Sequence, residues 1–173
     1  MEFLILGLLG MALATGKQAK TQKQPQKAIK KQIIDRGDCW NCLYRGLEYL
    51  SDDKTRAVFK NLMSYVADFN RIFDKNMQIF ETTRAPQRQL RLIKSGNSQA
   101  NINFAPHVQG RAVDFAELKN GVWVWDNRDL KALNDFLYKN FPQWELLRTG
   151  RDFKHFVDWP HYEIKRSIWE KWQ

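Results

Sequence analysis

The chain has 173 residues, 43% of them hydrophobic and 13% aromatic, so it has room for one domain with a sizeable core plus a tail. That content is globular rather than disordered. A formal charge of +9 favours anionic partners such as nucleic acid, anionic lipid or bacterial wall polymer, and charge alone does not choose among them.

Residues 1–16 form an apolar segment. Its run from Phe3 to Ala14 is shorter than the ~20 residues that span a bilayer comfortably. Only Glu2 stands where a secretory signal carries its basic region. The basic flank lies on the C-terminal side of the run, which disfavours export of the downstream chain. The segment therefore reads as an export signal, a membrane anchor or a piece buried in a larger assembly. Residues 17–36 are a basic linker, in which Lys17 to Gln32 holds six lysines, five glutamines and no acid. Such a composition cannot fold alone. It serves as a solvated spacer, or attaches electrostatically to acidic wall polymer or lipid at ~1 kcal/mol per lysine near a membrane. The folded domain is expected over residues 37–173. Near its start Cys39 and Cys42 make a CxxC pair with no second CxxC and no βαβ context. The pair reads as structural, disulfide-bonded if the chain is exported.

From Ser51 onward Val58, Leu62, Val66, Phe69 and Phe73 recur at three and four, predicting a helix with one buried face capped by Ser51 or Asp53. Met77 to Thr83 alternates like a strand and ends at Arg84. Pro86 opens a second helix running to about Lys94. Ser95 to Pro106 is loop, and Arg111 to Ala116 is short, apolar and β-permissive. Val122 to Trp125 reads as a hairpin partner or loop edge, Asn127 to Phe141 as a third helix, and Trp144 to Leu147 as a strand. His161 to Ile164 reads as a last strand started by Pro160, with Asp158 just outside it. Helices early and strands clustered later predict an α+β fold with a small, mostly antiparallel sheet flanked by helices.

Only three histidines exist, His107, His155 and His161. His107 lies seven positions before Asp114, and Asp158 stands three before His161. Two His and one Asp can close three corners of a zinc tetrahedron and leave the fourth for water. The HExxH signature, with both His on one helix, is absent. The ligands would come from two distant segments, so the fold must assemble the site, with His107, Asp114 and His161 as metal ligands and Asp158 beside the metal-bound water without binding the metal.

These residues resemble a known family, the zinc peptidases that include D-alanyl-D-alanine carboxypeptidases and L-alanyl-D-glutamate endopeptidases, many of them phage endolysins, with the hedgehog/DD-peptidase fold. Their pattern S-x-H-x-x-G-x-A-x-D, with [DE]-x-x-H much later in the chain, is matched by A-P-H-V-Q-G-R-A-V-D and D-W-P-H. Arg84, with Gln89 five residues on, extends the match to roughly residues 45–166. Ala105 departs from it, standing where the family has serine. The resemblance implies a Zn²⁺-dependent hydrolase of the peptidoglycan stem peptide, acting in the cell envelope or periplasm or in a phage virion. Asp158 would be general base and acid, and Arg84 would stabilise the oxyanion or hold a substrate carboxylate. Gln89 would orient Arg84 or the peptide, and His155 and Trp159 would wall the cleft. The alternative is a non-catalytic module on the same scaffold that binds wall or serves a virion or membrane assembly. Retention of Asp158 argues against it. Nucleic acid ranks last as a partner, because the lysines cluster in the linker without interleaved aromatics.

Overall fold

The structure, a computed structural model, describes residues 43–173. The apolar run, the Lys/Gln linker and the Cys39–Cys42 pair lie outside the described residues.

Helix α1 (Asp53–Phe73) buries Val58, Leu62, Val66 and Phe69 of the predicted stripe together with Phe59, whereas Phe73, at its last position, is 49% exposed. Its N-cap is Asp52, one residue from either expected cap. The Asp52 carboxylate accepts from the Thr55 amide at 2.8 Å and the Thr55 hydroxyl at 2.7 Å. Ser51 is spent elsewhere, since its hydroxyl donates to Asp52 and accepts from the Trp169 indole. Asp53 already belongs to the first turn, where it pairs with Arg56. Strand β1 (Met77–Glu81) stops two residues short of the expected run, because Thr82 and Thr83 bond back to Tyr44 and Tyr49 instead. Helix α2 (Pro86–Lys94) begins at its proline as predicted.

Strand β2 (Ala112–Lys119) turns into β3 (Val122–Val124) through Asn120 and Gly121, at φ 51° and 79°. Positive φ at both central residues suits a tight hairpin. Helix α3 (Asn127–Asn140) comes next. The strand expected at Trp144 is displaced. Trp144–Leu146 is a single 3-10 turn, closed by Leu146 bonding back to Gln143, and β4 is Leu147–Gly150. Strand β5 runs Asp158–Ile164, so Asp158 lies on the strand rather than outside it and Pro160 lies within it. The short helix α4 (Arg166–Trp169) closes the chain.

The strands form one antiparallel sheet in the order β1-β2-β5-β4, with β3 pairing β2. Its Met77, Val113, Phe115, Tyr162 and Ile164 join the buried stripes of α1 and of α3 (Leu130, Leu133, Leu137) in one hydrophobic core. The fold is α+β, with helices flanking an antiparallel sheet, as the order of elements predicts. The other sheet face, beside the 95–111 segment and α2, carries a cleft.

Candidate metal centre

Alternation along β2 sends Val113 and Phe115 into the core and Asp114 to the opposite face. Asp114 pairs across the ladder with His161 of β5. His107 arrives from the loop before β2. That loop turns sharply at Gly110 (φ +68°), where a side chain would stand 3.0 Å from the Ser51 amide nitrogen. The Gly110 carbonyl accepts from that same amide at 2.8 Å. A glycine three residues after His107 is thus what lets the loop dock on the start of α1.

Three atoms meet in the cleft. His107 Nε2 lies 3.1 Å from Asp114 Oδ1 and 3.2 Å from His161 Nδ1, and His161 Nδ1 lies 3.0 Å from Asp114 Oδ1. Each imidazole is fixed from behind. His107 Nδ1 lies 2.7 Å from the Thr82 carbonyl, an acceptor only, so this nitrogen carries the proton and Nε2 presents its lone pair. His161 Nε2 lies 3.1 Å from Glu163 Oε2, which leaves His161 Nδ1 facing inward. Two imidazole nitrogens and a carboxylate oxygen therefore converge, a point that favours a positive charge, whether a proton or a metal cation. Zinc–ligand bonds of about 2.0–2.2 Å set tetrahedral edges of about 3.3–3.6 Å, a few tenths of an ångström longer than this triangle. The donor set could hold a metal ion.

The local field has the same sense. Burial by itself would lower the His161 pKa, but hydrogen bonds and charge from Asp114 and Glu163 outweigh it and raise it to about 9. Burial likewise pushes Asp114 up, and the two imidazoles more than reverse this, holding its carboxyl well below the usual range. Glu163 is lowered despite burial, through His161, Arg111 and Arg148.

Asp158 reaches the cleft through an irregularity. Residues three apart on a regular strand face opposite ways, so Asp158 and His161 would part. The β4–β5 register runs from Thr149↔Tyr162 directly to Gly150↔Asp158. Three extra residues are thus accommodated on β5, the phase flips, and both Asp158 and His161 line the cleft. Burial, and next the Asp114 charge, raise the Asp158 pKa against the pull of His161, His107 and Arg84. Trp159, expected to wall the cleft, is turned by the same bulge to the core side, with Lys131 Nζ 5.7 Å from its ring centre. His155 does line the cleft and is exposed at its rim.

A second bulge lies in β1, where Ile79 pairs Phe115 and Glu81 pairs Asp114 with Phe80 left over. It brings Phe80 and the buried Glu81 to the cleft together. Glu81 accepts from Arg84 Nε at 3.0 Å and from Arg88 Nε at 2.9 Å, and Arg84 Nη1 donates to Gln89 Oε1 at 2.8 Å. Buried Gln89 is held in turn by donating to Ser98 and Ala100. Arg84 Nη2 stands 3.6 Å from Asp114 Oδ2, so the guanidinium flanks the triangle. Sequence reasoning missed Glu81 and Glu163. Glu163 was findable as H-x-E on a strand, which places it on the same face as His161, whereas nothing in the sequence marks a bulge ahead of Glu81.

Together these groups line a cleft of ≈ 1150 Å³ that continues past the triangle to Phe80 and Trp125 and to Phe153 and Phe156. It can polarise a bound carbonyl, move a proton at Asp158 and hold an anionic group at Arg84. No family model matches the sequence, and no curated protein matches it. Among solved structures the chain shares its fold with the crystal structure of the Serratia marcescens L-Ala D-Glu endopeptidase ChiX. That likeness has a TM-score of 0.55 at 18% sequence identity, covering 71% of this chain and 86% of that one.

Proposed function

We propose that the protein is a zinc-dependent peptidase that hydrolyses a peptide bond in the stem peptide of bacterial peptidoglycan. The observation that carries this reading is the triangle of His107 Nε2, Asp114 Oδ1 and His161 Nδ1, with each imidazole oriented by an acceptor on its other nitrogen. The fold shared with an L-Ala D-Glu endopeptidase supports the substrate class. His107, Asp114 and His161 would hold a Zn²⁺, which would supply Lewis-acid chemistry for a water and the scissile carbonyl.

The remaining steps belong to the chain. Asp158, on the same cleft face, takes the proton of the attacking water and returns it to the leaving amine. Burial and the Asp114 charge raise its pKa, which makes the carboxylate a better base. Arg84, clamped by Glu81 and Gln89, offers a fixed guanidinium to the developing oxyanion or to a substrate carboxylate. Burial works against its charge, but Glu81 outweighs it and keeps the guanidinium protonated. Such an enzyme works in the cell envelope or in a phage virion.

The test is digestion of purified peptidoglycan by the full chain, with released peptides read by mass spectrometry before chelation, after it, and after zinc is restored. New amino termini within the stem peptide that vanish and return with zinc support the reading. Asp158→Asn should keep its zinc and lose the products. Metal-independent products, or none from the zinc-loaded chain, overturn it.

A further inference from the structure

Beyond the metal triangle, the cleft reaches an aromatic platform that the hydrolytic chemistry does not use. Phe80, brought forward by the β1 bulge, meets Trp123 edge-on at 5.3 Å and Trp125 edge-on at 4.7 Å. Arg45 lies over two of these rings, 5.0 Å from the Trp123 centre and 5.5 Å from that of Phe80, and its Nε donates to the Phe80 carbonyl at 3.1 Å. The three rings are therefore held on several sides. Trp125 nevertheless remains 45% exposed, on the cleft wall and immediately ahead of the α3 cap Asp126. A rigid indole with an open surface in a substrate cleft is a stacking surface.

The proposed peptide substrate does not fill it. Alanine and glutamate, the residues named for the peptidase that shares the fold, are small and charged, and they offer an indole no extended apolar face. A pyranose ring does, because its axial C–H groups form a flat, weakly positive patch that matches the negative face of an aromatic ring. The stem peptide of peptidoglycan is carried on such sugars. We propose that the Phe80–Trp125 end of the cleft is a saccharide subsite, in which Trp125 stacks on an N-acetylated hexosamine of the glycan to which the peptide is attached. This rests on the peptidase reading and deepens it, since the preferred substrate becomes the glycan-linked peptide rather than the free one.

The experiment compares the full chain, zinc-loaded, on one stem peptide presented free and on its N-acetylglucosaminyl–N-acetylmuramyl conjugate. The expected preference for the conjugate is about tenfold in kcat/KM, carried by KM. In Trp125→Ala the ratio of the two values should fall to near one, and in Trp125→Phe it should stay above that. Equal turnover of both substrates by the parent chain overturns the subsite, as does an unchanged ratio in Trp125→Ala. If neither substrate is cleaved, the peptidase reading fails and the subsite is judged by calorimetric titration with the disaccharide alone. Saturable heat that Trp125→Ala abolishes supports it, and absence of heat in the parent chain overturns it.

Discussion

Two imidazole nitrogens and a carboxylate oxygen face one another here because the groups behind them hold them in place. Glu163 is the most consequential of these, because it orients the His161 ring while also standing 3.6 Å from Arg111 and 3.3 Å from Arg148. Glu163→Gln keeps the shape and an acceptor oxygen but removes the charge that makes His161 a strong donor to a metal. Loss of such a partner costs about 10–100-fold in metal affinity. A competition titration against a chromogenic zinc chelator should read that weakening, and an unaltered affinity would remove Glu163 from the site. At this scale the sequence was legible where chemistry is confined to rare residue types. Two of three histidines fall in a spacing that can meet one aspartate. Glu163 and Glu81 escaped notice because glutamates are common, and only the strand face tells an orienting one from a solvated one.

The elements decide what the residues can do, and here both decisive features are irregular. Spacing alone puts Asp158 and His161 on opposite faces, and only the β5 bulge unites them, at the cost of turning Trp159 into the core. The sequence therefore placed Asp114 and His161 on two neighbouring strands, while the resemblance put Trp159 in the cleft wall that the bulge turns it away from. Gly150 is the partner that makes the bulge possible. A Cβ there would overlap the Asp158 carbonyl oxygen and lie 2.7 Å from the Asp158 Cβ. Gly150→Ala should consequently displace Asp158 while leaving His107, Asp114 and His161 in place. The expected result is retained zinc with turnover reduced about 10²-fold, the scale of a 1 Å misplacement. Full activity in that variant would mean that the bulge yields without moving the base.

The cap of α1 gives a second test at the same scale. Burial raises the Asp52 pKa, but hydrogen bonds from Ser51 and Thr55 outweigh it and leave the carboxyl below 3.8. A lowered folded pKa means the ionised cap stabilises the fold fully above the unfolded value, and this contribution is lost as pH falls through the folded one. Asp52→Ala should cost about 0.5–2 kcal/mol in urea unfolding at neutral pH. The gap between variant and parent should narrow on acidification through the Asp52 range. A gap that persists there would mean that the loss comes from packing rather than from the ionised cap.

For the whole molecule the question is what the first 37 residues contribute. The buried residues of the described part run from Leu50 to Trp169 and include both long helices and strands β1, β2, β4 and β5. All the groups assigned to chemistry lie within that span. Among the described residues no helix is long and apolar enough to cross a membrane. The charge is also unevenly spread, since residues 1–37 carry seven of the 28 basic residues and two of the 19 acids, which leaves +4 of the +9 for the remainder. A chain beginning at Asp38 should therefore fold, bind zinc and release the same peptides from purified wall. It should lose association with membranes or with its assembly. Its activity on intact wall should fall modestly and become less sensitive to salt, because attraction by exposed lysines is screened over about 8 Å at physiological ionic strength. Sedimentation with wall fragments across a salt series, alongside peptide release, separates the two effects. An insoluble or unfolded product would instead assign the apolar run to the core of the domain.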